Sequence, residues 1–362
     1  MTDQGANSQI RVLVVDDSAF MRTALSRMIN SDPEMCVVGT ASTGSEALQR
    51  MTSLDPDVIT LDVQMPGLDG LQTLSRIMAE FPRPVIMVSS VTVKDADTTF
   101  KSLAAGAFDY VPKQLSAASL DILHIRDDLI AKIKVAAESR HGSEPLIVPK
   151  KPSRAVTMPV DEVALCVPAI IALGISTGGP KALQDILPNL PADLSVPIVV
   201  VQHMPTGFTA PFAKRLDSLC AVAVCEAFHG EAILPGVVYI APAGTHLTVE
   251  RVSSRTLVCL SDKPGNQLHI PSVDVMMQSV ASAFGPQAMG IIMTGMGSDG
   301  TQGMSAIHRG GGMTVGQDEA SCAVYGMPRA CAEMGILDRV VPLARIPQEI
   351  LHATHYRKAS VS

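Results

Sequence analysis

Short apolar runs alternate with amphipathic stretches along the first third of the chain. RVLVV, CVVGT, DVITL, PVIMVSS and FDYVPK, lying between Arg11 and Lys113, are the apolar runs. The stretches between them predict helices beginning near Ser18, Gly44, Asp69, Lys94 and Ser116. Strands that alternate with helices and are apolar throughout fit a parallel sheet covered on both faces. The pattern then stops. ESRHGSEPLIVPKKPSRAVTMPVDE is rich in proline, serine and charge and reads as a linker. Alternation resumes near Val163 and runs to about Ile350. VPAIIALG, VPIVVVQHM, AMGIIMTG and GGMTVGQ are strand-like, and helices are expected after Gly178, Gly207, Ser298 and Met327. Between them, GVVYIAPAGTHLTVERVSSRTLVCLSD has shorter, β-branched, partly alternating segments that suggest antiparallel hairpins. The fold class is α/β, with two doubly wound parallel-sheet domains. The expected boundaries are 10–130 for the first domain, 131–163 for the linker and 164–352 for the second domain.

Composition narrows the function classes. The 362 residues exceed what one ordinary core organises, and 47% hydrophobic with 17% charged residues is a globular balance. A net charge of −7, with no tryptophan, argues against a nucleic-acid or anionic-membrane binder. No apolar leader follows Met1 and no run of about 18 apolar residues occurs, so a cytoplasmic protein is expected. Seven cysteines without a C-x-x-C pair read as reduced thiols.

Charged residues cluster at the ends of the first domain's apolar runs. Asp16 and Asp17 follow VLVV, Asp62 ends DVITLD, and Lys113 follows YVP. Ligands of open parallel sheets bind beyond the carboxyl ends of the strands, so three carboxylates and one ammonium converge on one crevice. Like charges so close favour a bound cation, and a hard ion such as Mg²⁺ suits oxygen-only ligands. A carboxylate there is also a candidate nucleophile that would form an acyl phosphate. Ser89 and Ser90 supply hydroxyls beside it. Each aspartate alone would serve equally well as a helix cap or turn residue. The combination VDDSAFMR, LDVQMPGLDG, MVSS and AGAFDYVPK resembles a response-regulator receiver domain. The resemblance implies phosphorylation of Asp62, Mg²⁺ held by Asp16, Asp17 and Asp62, and switch roles for Ser89, Tyr110 and Lys113. Two positions depart from the usual pattern, Gln114 after Lys113 and Gln64 two residues after Asp62.

The second domain should carry the output. Gly174-Ile-Ser-Thr-Gly178 places Ser176 on a glycine-flanked turn between an apparent strand and helix, as an exposed nucleophile requires. Among nine histidines, His203 is the best-placed base because it ends the next strand at the same edge. His229 is a weaker candidate in a loop-like context. Asp299, in IIMTGMGSDGTQG, is the acid candidate and follows the strand AMGIIMT on the same edge. A rival reading exists for the same segment. Gly295-Met-Gly297-Ser-Asp-Gly300 spells G-x-G-x-x-G between a strand and a helix, with Asp318 and Glu319 about 20 residues on, as in a dinucleotide site.

GISTGGP, VVVQHMPTGFT and IIMTGMGSDGTQGM resemble the catalytic domain of the chemotaxis protein-glutamate methylesterases, the CheB family. With the receiver, the resemblance spans nearly the whole chain. It implies a flavodoxin-like receiver and a Rossmann-like catalytic domain with an antiparallel hairpin region. It implies a Ser176-His203-Asp299 triad, an oxyanion site at the Met296 backbone, and a role for Thr177 beside the nucleophile. The expected activity is phosphorylation-gated hydrolysis of glutamate methyl esters, with deamidation of selected glutamines. A histidine kinase is expected as phosphodonor and a methylated chemoreceptor as substrate, with Mg²⁺ for the receiver and no cofactor for the ester chemistry. Two alternatives stand beside it: a regulatory binding protein with an inactive effector domain, and a nucleotide-dependent enzyme.

Overall fold

The computed structural model describes residues 9–90, 92–113, 119–141, 166–265 and 267–356. The chain divides into two compact units, Met1–Val148 and Pro149–Ser362. Gln114 and most of the expected linker lie outside the described residues.

The first unit runs β1 (Ile10–Val15), α1 (Ala19–Ile29), β2 (Met35–Ala41), α2 (Gly44–Leu54), β3 (Val58–Asp62), α3 (Gly70–Glu80), β4 (Val85–Ser89), α4 (Val93–Ala104), β5 (Asp109–Pro112) and α5 (Ser119–His141). Its parallel sheet has the order β2-β1-β3-β4-β5, the flavodoxin-like arrangement. Val12, Val14, Val58, Ile86, Val88 and Val111 of the strands meet Leu25, Ile29, Leu129 and Ile133 of the helices in one core. Each such side chain contributes about 1.5–3 kcal/mol by leaving water. Helix starts follow local chemistry. Ser18, Thr43 and Asp69 accept backbone N–H groups at the starts of α1, α2 and α3, and Asp69 forms a capping box with Gln72.

One boundary differs from expectation. Residues 131–141, expected to belong to the linker, are helical, because α5 continues through His141. Leu129, Ile133, Ala136 and Ala137 keep helical spacing and are buried in the core. Of the charged residues interleaved with them, Lys132 turns inward and donates to the Tyr110 carbonyl at 2.7 Å, while Glu138 is exposed.

The second unit runs β6 (Ile170–Ile175), α6 (Gly179–Ile186), β7 (Ile198–Gln202), α7 (Thr209–Asp217), β8 (Ala223–Glu226), β9 (Val237–Ile240), β10 (His246–Val252), β11 (Arg255–Ser261), α8 (Val273–Phe284), β12 (Ala288–Ile292), α9 (Thr301–Arg309), β13 (Met313–Gln317), α10 (Met327–Glu333), β14 (Arg339–Val341) and α11 (Ile346–Ala353). Seven strands form a parallel sheet in the order β14-β13-β12-β6-β7-β9-β8. β6 is central, with β7 on one side and β12 on the other, so the crevice at its carboxyl end is a topological switch point. The expected antiparallel region is one hairpin, β10–β11. GVVYI, read as part of that region, is instead β9 of the parallel sheet. Val238, Tyr239 and Ile240 are all buried, which an edge hairpin would not require. α8 was not expected. Its start carries a recognisable signal, since Ser272 caps an apolar stripe of Val273, Met276, Met277 and Val280. Among the described residues, no helix is long and apolar enough to cross a membrane.

Candidate active site

The turn after β6 is shaped by close packing. Gly178 has φ +76°, a left-handed conformation that favours glycine, and it leads directly into α6. A Cβ on Gly174 would lie 2.2 Å from Val273 Cγ1, so a side chain there would push α8 away. Ser176 sits between these glycines, half-buried. Its N–H donates to the Thr294 carbonyl at 3.0 Å. The Thr294 hydroxyl donates to the carbonyl of Thr177, which is itself buried, at 2.9 Å. The nucleophile turn is thereby tied to the segment after β12.

β7 ends at Gln202 and presents His203 beside that turn. His203 Nδ1 lies 3.2 Å from Ser176 Oγ, and His203 Nε2 lies 2.9 Å from Asp299 Oδ2. Gln202 is buried, and its amide donates to the carbonyls of both Ser176 (2.9 Å) and His203 (3.0 Å). One side chain thus joins the two turns.

Asp299 is held by the start of α8. Oδ1 accepts from the Ser272 hydroxyl at 2.9 Å and the Asp274 N–H at 3.0 Å, and Oδ2 accepts from the Val273 N–H at 2.8 Å. Burial raises the carboxyl's proton affinity, but the His203 contact and these N–H donors outweigh it. Asp299 is held well below the usual carboxylate range. An ionised Asp299 fixes the proton of neutral His203 on Nε2 and leaves Nδ1 as the acceptor facing Ser176.

The rival readings fare differently. His229 is exposed, and its Nδ1 accepts the Leu260 N–H at 3.0 Å, away from the Ser176 turn. Two glycines of the G-x-G-x-x-G segment are spent on internal packing, whereas Gly297, at φ +81°, is exposed with open space beside it. A Cβ on Gly295 would lie 2.8 Å from Ser176 Cβ, and one on Gly300 would lie 2.8 Å from Val273 Cγ1. Asp318 caps a short turn by accepting from Ser321 N–H and Oγ. This geometry favours a closed catalytic loop over a pyrophosphate cradle. Met296 follows Gly295, half-buried next to the serine turn.

In the first unit, carboxylate oxygens of Asp16, Asp17 and Asp62 lie within 4.8 Å of one another. Asp16 and Asp62 are buried, and Asp17 is exposed. Lys113 Nζ bridges Asp16 Oδ2 at 2.8 Å and Asp62 Oδ2 at 2.6 Å. Burial raises the Asp62 pKa to about 6; Lys113 opposes the rise and the Asp16 charge adds to it. The Lys113 pKa rises in turn, because its two carboxylate partners outweigh the cost of burial. An all-oxygen set with two buried carboxylates and one open to solvent fits a hard divalent cation.

Ser89 is buried, and its hydroxyl accepts from Thr99 Oγ1 at 2.8 Å. Tyr110 is turned inward, edge-on to Phe100 at 6.2 Å between centroids and beneath Lys132 Nζ. The Gln64 amide donates to Asp95 of α4, an engagement that nothing in the local sequence announces. Sequence reasoning also missed Gln202, Ser272 and His269. His269 stacks on His203 with ring centroids 4.1 Å apart and planes at 20°.

Fold and geometry together describe a receiver-type unit joined to a unit with a serine-hydrolase constellation. The family profile for the CheB methylesterase matches residues 171–350, and that for the response regulator receiver domain matches residues 12–123. The chain is 45% identical over 365 residues to protein-glutamate methylesterase/protein-glutamine glutaminase 2 of Nitratidesulfovibrio vulgaris, covering 96% of this chain and 100% of that one. It is 44% identical to the protein-glutamate methylesterase/protein-glutamine glutaminase of Pyrococcus horikoshii, covering 95% and 94%. The crystal structure of the Thermotoga maritima CheB methylesterase catalytic domain, 39% identical, superposes with a TM-score of 0.50 over 52% of this chain and 99% of that one. The chain belongs to the family of protein-glutamate methylesterases/protein-glutamine glutaminases.

Proposed function

We infer that the chain is a chemotaxis methylesterase that hydrolyses glutamate methyl esters on proteins and deamidates glutamines, regulated by phosphorylation of its receiver. The observation that carries the chemistry is His203 between Ser176 at 3.2 Å and Asp299 at 2.9 Å.

In the mechanism we propose, Ser176 Oγ attacks the γ-carbonyl of the side-chain ester or amide as its proton passes to His203 Nδ1. Asp299 keeps the ring oriented and stabilises the imidazolium. The N–H of Ser176 donates to Thr294, so the oxyanion needs donors from neighbouring residues. The Met296 backbone and Thr177 fill that role, and the start of α6 adds its positive dipole end. His203 then protonates the leaving methanol, or ammonia in deamidation. It next activates a water that hydrolyses the glutamyl ester and frees Ser176.

In the receiver, Asp62 is the phosphoacceptor. Asp16, Asp17 and Asp62 would hold Mg²⁺, which when bound neutralises oxygen charge on the transferring phosphoryl group. Lys113 gives that group a second cationic contact. Ser89 and Tyr110 serve the switch. A histidine kinase is the proposed phosphodonor, and the cytoplasmic part of a methylated chemoreceptor the proposed substrate.

The test is methanol release from methylated receptor, with and without a phosphodonor. Release that rises with phosphodonor supports the reading. No release from the wild-type protein in either condition would leave a binding role instead.

A further inference from the structure

Two in-plane contacts anchor the His203 ring, one at Nδ1 and one at Nε2. They fix the ring along the line joining the two nitrogens. They do not fix its tilt about that line, and tilt decides whether the Nδ1 lone pair points at Ser176 Oγ. At 3.2 Å this contact is at the long end for a hydrogen bond, where misalignment costs most. Something must therefore press on the face of the ring.

We propose that His269 is the positioning residue that sets this tilt. The proposal rests on the triad reading above. The His269 ring lies flat on the His203 ring, with centroids 4.1 Å apart and planes 20° from parallel. The loop that carries it is pinned on both sides. His246, fully buried, lies with Nε2 3.0 Å from the Pro264 carbonyl, and its Nδ1 accepts the Ser272 N–H at 3.1 Å. Those two bonds together require the tautomer with its proton on Nε2. The Ile270 carbonyl accepts the Gly244 N–H at 3.1 Å. The backbone that carries the ring is thus anchored at Pro264, Ile270 and Ser272.

The same short segment serves a second member of the triad. Ser272, three residues after His269, donates its hydroxyl to Asp299 Oδ1, and Val273 and Asp274 supply their N–H groups. One loop and the helix it opens therefore orient both the base and the acid. Leu268, beside His269, is 85% exposed, whereas His269 is half-buried with its ring laid over the base.

The test uses the full-length protein and four measurements: kcat and KM for methanol release from methylated receptor, the rate of sulfonylation of Ser176 by phenylmethylsulfonyl fluoride, and thermal unfolding. The small sulfonylating probe needs the Ser176–His203 pair but none of the receptor's contacts. His269→Ala should lower kcat on the order of 10- to 100-fold with KM near wild type, and slow sulfonylation by a similar factor. His269→Phe restores a flat ring without a titrating nitrogen and should recover most of both rates. Unfolding shows whether either variant is merely misfolded, and the phenylalanine variant carries the test if the alanine variant does not fold. The proposal is overturned if His269→Ala matches wild type in both assays, or if His269→Phe folds and is as slow as His269→Ala. It is equally overturned if His269→Ala slows methanol release but leaves sulfonylation untouched, since His269 would then be a substrate contact. His203→Ala is the control for the underlying reading. Full activity in that variant would sink the triad itself, whereas its loss together with a normal His269→Ala protein would sink only the stack.

Discussion

His203 turns Nε2 toward Asp299 at 2.9 Å and Nδ1 toward Ser176 at 3.2 Å, the reverse of the nitrogen usage in the serine proteases. The chemistry is unaffected, because either nitrogen of a neutral imidazole accepts a proton once the other is held protonated. Nucleophile and base act as one device. Ser176→Ala and His203→Ala should each lower kcat/KM for methanol release by several orders of magnitude, and the double variant should be little worse than either. Asp299→Asn should cost less, on the order of 10²–10⁴. Additive losses in the double variant would mean that the two residues act in separate steps.

Asp299 also gives the second unit a pH signature. Its folded pKa is depressed, by His203 and three donors from the start of α8, against the opposing effect of burial. A depressed carboxyl contributes stability that is present above its unfolded pKa, near 3.8, and lost as pH falls through the folded value. Asp299→Asn should therefore destabilise the second unit by an amount on the order of 1–3 kcal/mol that persists on acidification down to about pH 4. Below pH 4 the gap to wild type should narrow. Urea unfolding on both sides of pH 4 measures it, and a gap that widens below pH 4 would contradict the assignment.

The order of the elements in the first unit, and the placement of Asp16, Asp17, Asp62, Lys113, Ser176, His203 and Asp299 at or just beyond strand ends, were legible because buried parallel strands are nearly continuous apolar runs. A residue that ends such a run is placed at one edge by topology alone. The supports around these residues were not legible. Ser272 reaches Asp299 only because α8 packs under β6 and β12, and no local pattern encodes that crossing. His269 lies in a loop without periodicity, and its contact with His203 exists only in three dimensions. The parallel pairing of β9 was hidden for a similar reason. A four-residue strand shows too little alternation to tell a hairpin edge from a buried strand. That α5 continues through His141 was equally hidden, because its inward positions past Ile133 are the small residues Ala136 and Ala137, which give a weak apolar signal.

Asp62 should gate the esterase without being part of it. Asp62→Asn keeps size and shape but removes the nucleophile for phosphoryl transfer. Treatment with a small-molecule phosphodonor and Mg²⁺ should raise methanol release by the wild type and leave the variant at its basal rate. A chelator should hold the wild type at its basal rate too, since the clustered carboxylates and an incoming phosphoryl group need a cation between them. Stable radiolabel from the phosphodonor on Asp62→Asn would place the phosphoacceptor on another residue.

Gln202 links the two turns that carry Ser176 and His203. Its amide donates to both carbonyls, and a Cβ on Gly179 would lie 2.0 Å from its Oε1, so the side chain fills the angle between β7 and α6 completely. Gln202→Leu keeps the approximate volume and removes both donors. The Ser176 carbonyl would keep the Gly179 N–H as a partner at 2.8 Å, so the nucleophile turn should still form. What is lost is the tie to the base. Separation of the two turns by a fraction of an ångström lengthens a Ser176–His203 contact that is already long, and misplacement on the scale of 1 Å costs on the order of 10² in rate. Gln202→Leu should therefore lower kcat on the order of 10- to 100-fold and leave KM nearly unchanged, because Gln202 is buried away from any substrate. Gln202→Glu is the sharper comparison. It has the same shape, but an ionised carboxylate would face two carbonyl oxygens instead of donating to them, so its kcat should fall below that of the leucine variant. Steady-state kinetics on methylated receptor separate the cases, and a loss confined to KM would mean that Gln202 shapes the substrate site and not the Ser176–His203 pair.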